Sequence, residues 1–131
     1  MIVLDTHVLV WWVSGAQRLS VRAKRSIDRE VKRGPVFVST ISVLEIATAV
    51  RRERLTLGAS LHAWLADLMT LPELAFEPIS VAIAEMAGAM GDSMHGDPAD
   101  RIIVATAKLL GAELVTADDR LRGTAEIATI W

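Results

Sequence analysis

Residues 2–7 read Ile-Val-Leu-Asp-Thr-His, an apolar and partly β-branched run that leads directly into a carboxylate. The run predicts a short buried strand over residues 2–4, with Asp5 at its carboxyl end. A helix is expected to follow to about Val13, because Ser-Gly-Ala at residues 14–16 breaks the pattern there. A carboxylate this close to the core needs a partner to remain ionised, so Asp5 is a candidate ligand for a cation.

Short apolar runs and helical patterns alternate along the rest of the chain. Further strands are predicted at residues 36–38, 74–79, 113–116 and 127–130. Pro78 argues that the strand at 74–79 lies at an edge of the sheet or ends there. Helices are predicted from Ser20 to Gly34-Pro35, from Ser42 to the basic residues 51–54, from Gly58 to about Met69, after Ser80, and over 102–110 before Gly111. This order predicts an α/β sandwich around a mostly parallel sheet.

Length and composition bound the domain count and the compartment. A chain of 131 residues that is 52% hydrophobic can bury one core, so we expect a single domain over residues 1–131. The absence of cysteine excludes disulfide frameworks, thiolate zinc sites and thiol nucleophiles, and cytoplasm is the expected location. The amino terminus resembles neither a signal peptide nor a membrane span. The mean hydropathy of +0.38 is high, so we expect apolar surface to be covered by another chain, as in a homodimer.

The charged residues are unevenly spread. A net charge of −2 gives no sign of a nucleic-acid-binding protein. The clusters of basic residues are interpreted first as solvated helix faces, although they permit RNA binding. These clusters are Arg18, Arg22, Lys24, Arg25, Arg29, Lys32 and Arg33, then Arg51, Arg52 and Arg54, and then Arg101, Arg120 and Arg122.

Four carboxylates stand at predicted strand ends or helix starts, namely Asp5, Glu45, Asp100 and Asp118. In open α/β sheets the ligand site lies beyond the carboxyl ends of the strands, where these four side chains could meet. Their mutual repulsion would raise several pKa values unless a divalent ion neutralised them. Oxygen ligands without cysteine select Mg²⁺ or Mn²⁺ over zinc, and such a site suits hydrolysis of phosphodiester bonds.

Each carboxylate at a helix start also has a purely structural interpretation. Ser42 and Glu45 match a capping box, in which Glu45 would bond the backbone of Ser42. Asp97 with Pro98 is an ordinary helix start, with Asp100 favoured by the helix dipole. Asp118 could cap a turn after the fourth strand.

The histidines and tryptophans are secondary candidates. His7 and His95 are close to carboxylates in sequence and could contact metal ligands, whereas His62 is expected at the surface or in packing. Trp11 and Trp12 are expected in the core or in a subunit interface, not as a platform for base stacking.

Four blocks of the sequence resemble PIN domains, in particular VapC-type toxins. They are Ile-Val-Leu-Asp-Thr-His-Val-Leu-Val-Trp-Trp at residues 2–12, Ser-Val-Leu-Glu-Ile-Ala at 42–47, His-Gly-Asp-Pro-Ala-Asp-Arg-Ile-Ile-Val-Ala-Thr-Ala at 95–107, and Leu-Val-Thr-Ala-Asp-Asp-Arg-Leu at 114–121. The resemblance implies a PIN-like three-layer α/β/α sandwich with a mostly parallel central sheet of four or five strands. It also implies a Mg²⁺-dependent endoribonuclease, usually a homodimer, that an antitoxin inhibits.

The family motif carries over to individual residues of this chain. Asp5, Glu45, Asp100 and Asp118 match its four acidic positions, which implies that they are both catalytic and metal-binding. Asp97 could share this role, and Asp119 competes with Asp118 for its position. Thr116 and Thr6 could hydrogen-bond the metal ligands.

Three other classes of protein were weighed against this interpretation. A receiver domain would need an acidic pair after the first strand and a lysine after the last, and a dehalogenase-type phosphatase would need Asp-x-Asp, where this chain has His7. A PIN-like protein that binds RNA or a partner without cutting remains as the non-enzymatic alternative. The sequence does not identify the RNA or the antitoxin.

Overall fold

The computed structural model describes residues 1–15 and 17–131. Ala16, the last residue of the predicted break at 14–16, lies outside the described residues. The elements in chain order are β1 (Ile2–Leu4), α1 (Thr6–Val13), α2 (Val21–Val31), β2 (Val36–Ser39), α3 (Ile41–Arg51), α4 (Leu61–Met69), β3 (Leu74–Glu77), α5 (Val81–Ala89), α6 (Pro98–Leu110), β4 (Glu113–Val115), α7 (Asp119–Arg122) and β5 (Thr129–Ile130).

The five strands form one parallel sheet in the order β3-β2-β1-β4-β5. β1 lies at the centre, with Val3 opposite Phe37 of β2 and Leu4 opposite Val115 of β4. β3 is an edge strand that ends before Pro78, as the proline predicts. Because all strands run the same way, the residues that follow β1, β2 and β4 meet at one edge.

Helices cover both faces of the sheet. Along β1 the side chains alternate: Ile2 and Leu4 join a core cluster with α1, α2, α3 and α4, whereas Val3 joins a second cluster with α5, α6 and α7. The three-layer α/β/α sandwich with a parallel sheet is therefore confirmed. Among residues 1–15 and 17–131, no helix combines the length and the apolar character needed to cross a bilayer.

Local capping explains where most helices begin. The Ser20 hydroxyl accepts a hydrogen bond from Ala23 N–H at 3.0 Å, and Ser80 caps α5 in the same way. The predicted start of α4 at Gly58 is wrong by three residues. Gly58 has φ +74° and belongs to the connection, and Ser60 caps the helix by accepting from Ala63 N–H at 3.2 Å.

Candidate active site

A cavity of about 400 Å³ opens at the carboxyl edge of the sheet, and all four carboxylates singled out from the sequence line it. Asp5 follows β1, Asp118 follows β4, Glu45 lies on α3 after β2, and Asp100 lies in the first turn of α6. Parallel strands thus bring together residues that are up to 113 positions apart in sequence, from Asp5 to Asp118. Asp97, one helical turn before Asp100, also lines the cavity.

Asp5 is only 4% exposed, and the fold supplies partners to both of its oxygens. Oδ1 accepts a hydrogen bond from Thr6 N–H at 2.8 Å, so Asp5 also caps α1. Oδ2 accepts from the Thr116 hydroxyl at 2.6 Å, and the Nδ1 atom of His7 lies 3.6 Å from the same oxygen. These bonds hold the carboxylate in one orientation and stabilise its charge.

Glu45 is held by Thr6, which means that the capping-box interpretation is wrong. The Thr6 hydroxyl donates to Oε1 of Glu45 at 2.5 Å and lies 2.8 Å from the Ser42 hydroxyl, which must therefore be the donor of that second bond. Thr40, not Ser42, occupies the N-cap of α3, so Glu45 sits in the second turn and not in the predicted first turn. Burial raises the pKa of Glu45, the bond from Thr6 opposes that shift, and the charges of Asp5 and Asp97 add to it.

Asp100 is also buried, at 7% exposure, but its environment differs from that of Asp5. Burial, followed by the charges of Asp97, Asp5, Glu45 and Asp118, raises the pKa of Asp100 to about 7. Within the described part of the chain, Oδ2 of Asp100 has no hydrogen-bond partner, although Nε2 of His95 lies 3.2 Å away. One buried oxygen therefore remains available to a ligand.

Asp118 is paired with an arginine of the same turn. Its Oδ1 atom accepts from the backbone N–H of Arg120 at 2.9 Å and from Nε at 3.2 Å, and its Oδ2 atom accepts from Nη2 at 2.9 Å. The side-chain bond from Arg120 is the main reason that the pKa of Asp118 is lowered. The same Nη2 atom lies 3.7 Å from Oδ2 of Asp100. Arg120 thus faces two of the four carboxylates.

Asp118 and Asp119, which compete for the last acidic position of the motif, differ in their surroundings. The side chain of Asp119 is 94% exposed and pairs with Arg122 at 3.4 Å. Asp118 instead lines the cavity. It also caps α7, so the interpretation that it caps a turn after the fourth strand is correct. Its backbone N–H donates to the Thr116 hydroxyl at 3.0 Å, which couples Asp118 to Asp5 through Thr116.

Arg101 has a role that its place among the basic residues of the sequence did not predict. The guanidinium instead donates to five backbone carbonyls, at 2.7 Å to 3.3 Å, and four of them lie in or directly before the loop of residues 91–96. These carbonyls belong to Ala87, Met90, Gly91, Met94 and His95. Arg101 therefore fixes the loop that presents His95 to Asp100. A lone arginine at the start of an apolar helix carries no sequence signal for such a role.

The two remaining histidine predictions can be assigned to definite contacts. His7 accepts a hydrogen bond from Ala117 N–H at Nε2, at 3.1 Å, so the proton of its neutral ring is on Nδ1 and faces Asp5. His62 is exposed on α4, as expected. Trp12 packs against the core as predicted, whereas Trp11 is half-buried and lines the cavity.

The oxygen donors of the site have the chemistry that a hard divalent cation prefers, but their present positions do not bring them together around one ion. Five carboxylates line the cavity, and among the residues that the structure describes the buried Oδ2 atom of Asp100 has no hydrogen-bond partner. Among residues 1–15 and 17–131, no three acidic or histidine side chains are close enough to ligate one ion together. Arg120 bonds Asp118 and approaches Asp100, so a cation at these two carboxylates requires movement of Arg120.

Comparison with known proteins finds matches along most of the chain. The sequence profile of the PIN domain matches residues 2–127. The chain is 38% identical over 121 residues to Ribonuclease VapC22 of Mycobacterium tuberculosis, an alignment that covers 92% of this chain and 89% of that protein.

Solved structures share the fold. VapBC2 from Rickettsia felis, bound to a promoter DNA fragment, superposes with a TM-score of 0.72 at 15% identity and covers 98% of this chain and 97% of its own. A toxin-antitoxin complex from Klebsiella pneumoniae gives a TM-score of 0.67 at 24% identity, with 98% and 97% covered. Because the profile spans nearly the whole sequence and the relative aligns along most of its length, the chain belongs to the PIN domain family.

Proposed function

We propose that this protein is a Mg²⁺-dependent endoribonuclease, the toxin of a toxin-antitoxin pair, and that Mn²⁺ can replace Mg²⁺. Asp5, Glu45, Asp100 and Asp118 would hold the ion and carry the reaction. One observation carries this proposal: Asp100, whose buried Oδ2 atom has no hydrogen bond within the described part of the chain, lines a cavity together with four other carboxylates. Buried charges in proteins are normally paired or coordinate a metal.

When bound, the divalent cation would lower the pKa of a water molecule and balance the charge that develops on the phosphate. The chain's own residues prepare this site. Thr116 and Thr6 donate their hydroxyl protons to Asp5 and Glu45, which fixes the direction of both carboxylates before any ligand enters. Arg54 and Arg120 line the same cavity and supply positive charge for the phosphate of the substrate.

The relatives support the substrate class and the partner. The relative at 38% identity is named a ribonuclease, and the structural neighbours include complexes of toxins with antitoxins. We therefore infer that RNA is the substrate and that a cognate antitoxin is the partner. We further propose that residues 1–131 form a single PIN domain, and that the protein acts as a homodimer in the cytoplasm.

One observation favours a second function. Arg120 binds Asp118 through two side-chain bonds, as it would in a structural ion pair. In a non-catalytic PIN-like protein that binds RNA or a partner, this pair would stay closed and no metal would enter.

Cleavage of RNA by the purified protein separates the two functions. We expect cleavage with Mg²⁺ or Mn²⁺ and none in EDTA, and we expect Asp5→Asn and Asp100→Asn to abolish it while the protein stays folded. Asp119→Asn is the matched control, because that carboxylate is 94% exposed and is not among the residues that line the cavity. Full metal-dependent activity in both active-site variants would refute the proposed mechanism.

A further inference from the structure

The two adjacent tryptophans of α1 have different surroundings. Trp12 packs against the core cluster that includes Leu4 and Ile27. Both side chains are half-buried, but Trp11 forms part of the wall of the cavity that the carboxylates line. A large aromatic side chain that faces a polar cavity is available to a ligand, whereas its neighbour stabilises the fold.

Trp11 lies within a group of three rings, which we call the aromatic wall: His7, Trp11 and Trp131. The ring of His7 meets Trp11 edge-on, with centroids 4.9 Å apart, and Trp131 lies 5.9 Å away at an angle of 49°. The guanidinium of Arg18 lies over the ring of Trp11, 5.8 Å from its centroid and within the range of a cation–π interaction, so a base that stacks on this face must displace it. The aromatic wall therefore combines π-faces with a positive charge.

Within the aromatic wall, His7 is the ring that lies next to a carboxylate. Its ring contacts Trp11, and its Nδ1 atom lies 3.6 Å from Oδ2 of Asp5. One imidazole thus separates Trp11 from the place where the scissile phosphate would bind. A nucleotide has the matching chemistry, with an anionic phosphate at one end and an apolar π-face at the other.

The dimensions of the cavity favour a nucleotide over a helical peptide. A volume of about 400 Å³ lies in the range of sites for small ligands. The lining of the cavity also includes the apolar side chains of Val10, Ile46 and Leu55. Arg54 and Arg120 add positive charge to it. A helix of an antitoxin would need a longer groove with several apolar pockets along it.

We propose that Trp11 is a nucleobase-binding residue, on which an unpaired base of RNA stacks beside the phosphate held at the carboxylates, while Arg18 pairs with a neighbouring phosphate. This inference rests on the proposed function. Stacking on an aromatic ring accepts any base, because every base has a π-face. The contact with Trp11 therefore requires an exposed base and does not itself distinguish one base from another.

A double-mutant cycle tests the proposal. The probes are a fluorescently labelled hexanucleotide of adenosine and a hexamer of abasic ribose phosphates, which carries the same backbone charge without bases. Binding is measured by anisotropy with Ca²⁺, and the probes are checked for integrity afterwards. The variants are Trp11→Leu, Trp11→Phe, which keeps a ring, and the control Trp12→Phe, whose side chain packs against the core cluster and does not line the carboxylate cavity. Circular dichroism establishes that each variant is folded.

We expect Trp11→Leu to weaken binding of the adenosine hexamer about 10-fold and to leave binding of the abasic hexamer unchanged. Trp11→Phe should retain most of the affinity, and Trp12→Phe should resemble the wild type. The wild type alone should prefer the adenosine hexamer by a similar factor, so the test stands even if Trp11→Leu does not fold. Equal binding of both probes by the wild type, or an equal loss for both in Trp11→Leu, would overturn the proposal and assign Trp11 to a protein-binding surface.

The outcome is separable from that of the proposed function. Metal-dependent cleavage without a preference for bases would refute the aromatic subsite and leave the nuclease intact. A preference for bases that depends on Trp11, in a protein that does not cleave RNA, would leave the subsite and refute the nuclease.

Discussion

Asp5 and Asp100 lie in the same cavity, and both are less than a tenth exposed, yet they differ in how their charge is balanced. Asp5 receives hydrogen bonds at both oxygens, from Thr6 N–H and from the Thr116 hydroxyl. By contrast, the buried Oδ2 atom of Asp100 receives no hydrogen bond within the part of the chain that the structure describes. The fold stabilises the charge of the first carboxylate and leaves that of the second to a ligand.

This difference separates stability from function within one site. A carboxylate whose bonds are complete contributes to the folded state, and its removal leaves its donors unpaired. A buried carboxylate without such bonds is strained electrostatically until a cation arrives, and its removal relieves that strain. Substitution of the two residues should therefore have the same effect on cleavage and opposite effects on the metal-free protein.

The largest effect is expected on cleavage. Asp5→Asn and Asp100→Asn should each lower kcat/KM by about 1,000-fold or more, because a ligand charge in the site is lost.

In EDTA at pH 8, Asp5→Asn should unfold more easily than the wild type, since an amide nitrogen cannot accept the Thr116 proton. Asp100→Asn should unfold less easily. Urea denaturation measures the stability of both variants. A destabilised Asp100→Asn protein would contradict the proposed difference between the two carboxylates.

The loop that carries His95 to Asp100 depends on Arg101. Arg101→Met removes five charge-assisted hydrogen bonds to backbone carbonyls, so we expect it to lower the free energy of unfolding by about 3 kcal/mol. Arg101→Lys should lose less, because an ammonium still reaches some of these carbonyls. Arg25→Met, on the exposed face of α2, is the control. Limited proteolysis should cut Arg101→Met first within residues 91–96, and unchanged resistance there would contradict the role of Arg101.

The pH dependence of stability is expected to distinguish the two carboxylates further. The pKa of Asp100 is raised to about 7, so the folded protein holds a proton that the unfolded chain has released above about pH 4. Stability in EDTA should therefore fall as the pH rises from 5 to 7, by about 2 kcal/mol after allowance for solvent screening. The raised pKa of Glu45 acts in the same direction.

Urea denaturation at several pH values tests this slope. Asp100→Asn should flatten it, and Mg²⁺ should restore stability at pH 8 in the wild type only. The lowered pKa of Asp118 does not interfere, because its contribution is lost only as the pH falls below about 4. A wild-type stability that rises between pH 5 and 7 in EDTA would show that the charge of Asp100 is already balanced.

The sequence predicted the parts of this molecule that depend on neighbours in the chain. Ser20, Ser80 and Asp97 cap their helices by bonds to residues three positions ahead, and Gly111 ends α6 with φ +64°. The placement of carboxylates after strands was predictable too, because parallel strands deliver their ends to one edge.

Contacts between distant residues were not predictable. Ser42 and Glu45 satisfy a local capping pattern, yet Thr6, which is 39 residues before Glu45, binds both side chains instead. The five carbonyls that Arg101 binds face it only after α5 and α6 have packed together. Trp11 and Trp12 are equally apolar in sequence, and only the rotation of α1 against the sheet sends one to the core and the other to the cavity.

The smallest effect is expected at Arg120, which stands between the balanced and the unbalanced carboxylates. Its guanidinium bonds Asp118 and lies 3.7 Å from Oδ2 of Asp100, so it competes with a cation for both. Arg120→Ala should therefore bind Mn²⁺ several-fold more tightly in calorimetry, while Arg122→Ala, whose arginine pairs with the exposed Asp119, should bind as the wild type does. The gain should become smaller when Asp118→Asn is added, because Arg120 bonds Asp118 at 2.9 Å and only approaches Asp100, at 3.7 Å. If Arg120→Ala bound Mn²⁺ no better than the Arg122→Ala control, the ion pair of Arg120 with Asp118 would not oppose metal binding. The unbalanced charge of Asp100 would then govern metal binding alone.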